Sequence, residues 1–120
     1  GMVDVVRGSL GTARNRFLGL NLDIAGKTGT ATSGDFTEPH SWFAGYTFEE
    51  NENLPDIAVV VMLEYQGEGS EWAAPVFRRV VESYFFGRPY AVYPWESQIG
   101  VLKTATPTPE PGEVEETAEP

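Results

Sequence analysis

Lys27 stands in the stretch "AGKTGTAT" (residues 25–32), a charged side chain between two glycines and followed by hydroxyl and small residues; the chain's other lysine is Lys103. If this segment is a strand, Lys27 and Gly29 point to one face while Thr28 and Thr30 point to the other. Gly29 leaves bare backbone beside Lys27, so a ligand can approach closely. An open edge of such a strand pairs with an extended peptide, the two hydroxyls suit a carboxylate, and Lys27 adds positive field. The chemistry on offer is capture of the anionic end of a peptide. The same residues also spell a plain glycine-containing strand with a snorkelling lysine, because K-T-G is short enough to recur by chance.

Other chemistries find little support. Cysteine is absent, which removes disulfides, a thiol nucleophile and thiolate metal ligands without identifying a compartment. The single histidine, His40, has no second histidine or carboxylate cluster at ligand spacing, so a structural or surface role is expected for it and no metal or cofactor is expected. Eighteen acidic against eight basic residues give a net charge of −10, which argues against nucleic acid or anionic lipid as the main partner. No apolar run approaches the roughly 18 residues of a membrane-spanning helix, and no basic segment followed by an apolar core marks a secretory signal.

The elements that must hold Lys27 to Thr30 follow from periodicity. Residues 1–10, "GMVDVVRGSL", read as the end of a helix with Val3, Val6 and Leu10 on one face and Gly8 or Gly11 as terminator. A strand is expected between Leu22 and Ala31, then a turn-rich loop. "HSWFAGYTF" alternates Trp42, Ala44, Tyr46 and Phe48 with Ser41, Phe43, Gly45 and Thr47, the period of a second strand. "IAVVVML" (57–63) is apolar throughout and reads as a central strand covered on both faces. Ala73, Val76, Phe77, Val80, Val81 and Tyr84 recur at helical spacing, with Arg78, Arg79 and Glu82 facing away; Pro75 is tolerable only in the first turn, so this helix starts near Trp72 or Ala74 and stops by Gly87. Short connections make the strands a meander. The fold class is therefore α+β, a three-stranded antiparallel sheet followed by an amphipathic helix. Residues 88–103 are expected as extended chain on the body, within a folded segment 1–103, and residues 104–120 as a disordered acidic Pro/Thr/Glu tail.

In this order, "AGKTGTA", "HSWFAGYT", "PDIAVVVMLEY" and "GEGSEWAAPVFRRVVE" resemble the C-terminal part of the transpeptidase domain of penicillin-binding proteins, most like the class B branch, over roughly residues 2–87. The resemblance implies that Lys27 sets the electrostatics and proton network beside a nucleophilic serine. It implies that Thr28 and Thr30 hold the carboxylate of a peptidoglycan stem peptide or of a β-lactam. The backbone N–H of Thr30 would be an oxyanion-hole donor, and Gly29 would permit the close approach. It further implies an intact parent anchored at the extracytoplasmic face of the bacterial cell membrane.

The departures limit what this chain does alone. Acyl transfer by this family's chemistry needs an activated serine, yet none of Ser9, Ser33, Ser41, Ser70, Ser83 or Ser97 begins S-x-x-K, and no S-x-N occurs. The family carries both motifs before K-T-G, so the chain alone is expected to have no transpeptidase activity and to form no covalent penicillin adduct. In the family the strand matching 57–63 also pairs with a strand absent here. Its far edge is therefore expected to be covered by residues 88–103 or by self-association through 57–63. Two further readings compete: a non-catalytic module that retains the K-T-G strand to bind a peptide or a partner protein, and a β-lactamase relative, against which the "AAPVF" helix and acidic tail count.

Overall fold

The structure, a computed structural model, describes residues 1–32, 34 and 38–90. Along the chain run α1 (Met2–Arg7), a 3-10 turn (Arg14–Arg16), β1 (Ile24–Ala31), β2 (His40–Thr47), β3 (Ala58–Leu63) and α2 (Ala73–Phe86). The strands form one antiparallel sheet in the order β1-β2-β3, with Lys27 opposite Ala44 and Ala44 opposite Val60. This is the α+β meander with a C-terminal helix that the periodicities predict.

The alternation along β2 resolves into an inner face of Ser41, Phe43, Gly45 and Thr47 and an outer face on which Trp42 and Tyr46 stay exposed. The inner face receives α2. A Cβ at Gly45 would lie 2.7 Å from Cζ of Phe77, so the helix's ring occupies the place of a strand side chain. Phe43 sits between Phe77, with ring centroids 4.7 Å apart, and Phe17, at 5.4 Å. Val6, Ala13, Leu22, Ile24, Val61, Ala73, Ala74 and Val81 complete this core. Burial of each large ring contributes roughly 1.5–3 kcal/mol.

Three expectations are corrected. The strand 57–63 is not central: β3 is an edge strand among the described residues, and Val60 and Met62 are exposed on its outer face. Its uniform apolarity does not distinguish two covered faces from one covered and one bare. Second, Leu10 does not continue a helical face, because α1 ends at Arg7 with Gly8 as its cap. Leu10 is 95% exposed, while Val6 and Val5 meet the core. Third, Arg78 and Glu82 do not face solvent. Their ion pair, Nε to Oε1 at 2.8 Å, is nearly enclosed, with Glu82 fully buried. Arg78 Nη1 also donates to the carbonyls of Arg16 at 3.1 Å and Leu18 at 2.8 Å, and Glu82 Oε2 accepts from the Tyr90 N–H at 2.7 Å. The pair lies inside because α2 packs on the segment around the 3-10 turn, whose outward carbonyls need donors.

The helix bounds agree with the expectation, since α2 begins after Trp72, holds Pro75 in its first turn and ends at Gly87 in the left-handed conformation. The hairpin between β2 and β3 is closed by Asp56. Its Oδ1 accepts from Thr47 Oγ1 and from the Glu49 N–H, each at 2.8 Å, and Thr47 Oγ1 in turn accepts from the Ile57 N–H at 3.0 Å. The expected cover from 88–103 and the acidic tail lie, beyond Tyr90, outside the described residues.

Candidate functional site

β1 is the other edge of the sheet among the described residues, and its burial falls along its length: Ile24, Ala25 and Gly26 are buried, Lys27 and Thr30 are exposed, Thr28 and Gly29 are half-buried. The Phe48 N–H donates to the Asp23 carbonyl at 2.9 Å, one step beyond the Ile24–Thr47 pair. Hydrogen-bonded pairs alternate along an antiparallel ladder. Ala25, Lys27 and Gly29 therefore turn their amide groups to β2, whereas Gly26, Thr28 and Thr30 turn theirs to the open edge. Lys27 fits this phase, because its Nζ reaches along the edge to the outward carbonyl of Thr28 at 3.0 Å.

The same register fixes the faces. Thr28 stands opposite Phe43 and Thr30 opposite Ser41, on the side that carries the core; Lys27 and Gly29 stand opposite Ala44 and Trp42 on the outer side. The two hydroxyls on the core side have neighbours that sequence spacing does not reveal. Thr28 Oγ1 lies 3.2 Å from Thr12 Oγ1, and Thr30 Oγ1 donates to Glu68 Oε2 at 3.3 Å. Both threonines are open enough to exchange these partners for a ligand. What the edge presents is an outward N–H at Thr30, hydroxyls at 28 and 30, and an ammonium at 27. This set can pair with an extended chain and stabilise negative charge at its end.

The structure also shows what is not assembled. Ser41 is next to Thr30 across the ladder, but its hydroxyl is buried and spent: it donates to the Glu68 carbonyl and accepts from the Ala73 N–H, each at 3.1 Å. It has no base and no access, so it is no nucleophile. His40, opposite Ala31, accepts the Tyr65 N–H on Nδ1 at 3.1 Å and packs tilted against the Tyr65 ring with centroids 4.6 Å apart, holding the end of β3 to the start of β2. No group of His and carboxylate side chains that could hold a metal occurs among the described residues. Likewise, no helix there is long and apolar enough to cross a membrane.

Comparison with known proteins gives a consistent result. Residues 1–82 match the family described as penicillin binding protein transpeptidase domain. The chain is 38% identical over 98 residues to the peptidoglycan D,D-transpeptidase MrdA of Haemophilus influenzae, a match covering 70% of this chain and 15% of that protein. Among solved structures it is similar to PBP2 of Pseudomonas aeruginosa in complex with WCK 5153. The TM-score is 0.61 at 38% identity, and the match covers 78% of this chain and 20% of that one. It is also similar to a chain of a peptidoglycan synthase complex that coordinates polymerization and crosslinking, with a TM-score of 0.63 at 31% identity over 77% of this chain and 16% of that one. The chain thus spans about a fifth or less of the length of these relatives.

Proposed function

The chain belongs to the penicillin-binding protein transpeptidase family, and from that premise we propose that it is the K-T-G portion of a peptidoglycan D,D-transpeptidase. In this reading β1 is the substrate strand. A stem peptide, or a β-lactam in its place, lies along the open edge with its carboxylate on the hydroxyls of Thr28 and Thr30 in the field of Lys27. The Thr30 N–H donates to the oxyanion that forms when a serine attacks the acyl carbon. Gly29 keeps the outer side of the strand clear at that point. Lys27 biases the proton network around the serine toward the deprotonated nucleophile. The serine itself comes from an S-x-x-K segment that these 120 residues do not contain, so the chain contributes binding and charge stabilisation rather than the covalent step.

The observation that carries this reading is the phase of the β1 edge. The amides of Thr28 and Thr30 face outward beside their own hydroxyls, while Lys27 reaches along the same edge. The parent's place at the extracytoplasmic face of the cell membrane, and the division into a folded segment 1–103 and an acidic tail 104–120, belong to the same proposal. So does self-association through residues 57–63 wherever no other strand covers that edge. The open edge equally supports the second reading, a non-catalytic module that captures a peptide, and the two differ in whether a serine segment is joined to it.

The test is an NMR titration of the chain with an N-acetylated D-alanyl-D-alanine dipeptide, the simplest D,D peptide ending in a carboxylate. Amide shifts concentrated at Lys27 to Thr30 are expected. Thr30→Val, which keeps the shape and removes the hydroxyl, is expected to weaken binding roughly tenfold, the worth of one charge-assisted hydrogen bond. Shifts elsewhere with β1 unmoved would sink the assignment. Incubation with penicillin is expected to leave the mass of the chain unchanged.

A further inference from the structure

On the α2 side of the sheet, Gly29 and Trp42 present only backbone, because their side-chain positions point to the other face. Gly69 fills that gap. It is buried, and a Cβ placed on it would lie 2.3 Å from the Trp42 carbonyl oxygen, 2.7 Å from the Gly29 carbonyl oxygen and 3.1 Å from the Gly29 nitrogen. All three are backbone atoms of the β1–β2 ladder at the glycine of K-T-G, so no side chain can swing away to make room. The loop that carries Gly69 is held from the other side. Its carbonyl accepts from the Ala74 N–H at 2.9 Å in the first turn of α2. The neighbouring Glu68 carbonyl accepts from Ser41 Oγ, which takes the Ala73 N–H in return. Arg16 Nε adds a bond to the Ser70 carbonyl at 3.0 Å.

We infer that Gly69 is a positioning residue for the K-T-G strand: the α2 N-terminus, through Ser41 and the 68–70 loop, presses a side-chain-free residue onto the back of Gly29 and so fixes where the Thr30 N–H and the two threonine hydroxyls stand at the open edge. Glu68 belongs to the same device, since its carbonyl is fastened to Ser41 while its carboxylate takes the Thr30 hydroxyl. The consequence for ligand binding rests on the proposed substrate role of residues 27–30; the seating of the strand does not.

Gly69→Ala in the full chain tests the inference in two arms. Without ligand, backbone amide shifts of Gly29, Thr30 and Trp42 are expected to move and their hydrogen exchange to quicken. With the D-alanyl-D-alanine dipeptide, affinity is expected to fall roughly tenfold or more, as the displaced threonine hydroxyls lose a charge-assisted bond to its carboxylate. Val81→Ala, a truncation in the core away from β1, is the control: it lowers stability while leaving the Thr30 amide and the affinity as in the parent chain. Should Gly69→Ala fail to fold, Ser41→Ala loosens the loop from its other anchor and is expected to move the same three amides. The inference is overturned if the changes stay within residues 66–74, or if Val81→Ala moves Gly29 and Thr30 as much. If the parent chain does not bind the dipeptide at all, the substrate reading fails, and the ligand-free arm still decides the positioning role.

Discussion

At the scale of single residues, the largest departure from a surface reading is Glu82. Its carboxylate is enclosed and accepts from Arg78 Nε and from the Tyr90 N–H, and no buried side-chain polar atom among the described residues lacks a partner. Removing one member of such a pair strands the other charge. Glu82→Ala is therefore expected to cost about 3–5 kcal/mol, read as a lowered urea midpoint. A loss of a few tenths would mean that Arg78 finds water once Glu82 is gone. Helical periodicity marks position 82 as polar and facing away from the apolar stripe. It does not register that Arg16 and Leu18 bring carbonyls to the same side, because those residues are 60 or more positions away in the chain.

At the scale of elements, the β2–β3 hairpin depends on one exposed carboxylate. The hydroxyl of Thr47 above all, against an opposing effect of desolvation and with further help from the backbone N–H groups of Glu49 and Glu50, holds the Asp56 carboxyl below its ordinary value. With the folded value depressed, the unfolded chain takes up its proton first as pH falls. The stabilisation is complete above the unfolded value of about 3.9 and is lost as pH drops through the lower folded value. The hairpin amides from Thr47 to Ile57 are thus expected to lose exchange protection as pH falls below the ordinary carboxylate value, in a titration that Asp56→Asn does not show. Equal acid sensitivity in both proteins would assign the effect to other carboxylates. The acidic "EENENLP" is legible as a turn, but the identity of its anchor is not, since Asp56 acts by reaching back to Thr47 across the hairpin.

At the scale of the whole molecule, the sheet has two edges of different character. The β1 edge is polar and is the proposed ligand edge. For β3, the Thr47 N–H donates to the Ile57 carbonyl, so by the same alternation Ala58, Val60 and Met62 turn their amides away from β2. The outer side of that edge is apolar, with Val60 64% exposed. Such an edge templates strand pairing, while the net charge of −10 opposes the approach of a second copy. Sedimentation equilibrium is expected to show a dimer that strengthens as salt screens this repulsion, and Val60→Lys is expected to abolish it. A monomer at every salt concentration, with fast amide exchange along 58–63, would rule out self-association at this edge.

The sequence by itself determines the types and order of the main elements, the limits of α2 and the K-T-G, aromatic-strand and "AAPVF" segments that identify the family. Each of these is written in the phase of side chains along a continuous stretch or in a contiguous motif. Which face of β2 turns inward, that β3 lies at an edge among the described residues, that Glu82 is buried and that Gly69 stands behind Gly29 are decided only by tertiary structure. The physical reason is that a period fixes the phase of one element against itself. Burial and hydrogen bonding at these positions depend on what a distant segment brings, as when Glu68 meets Thr30 across 38 positions of chain.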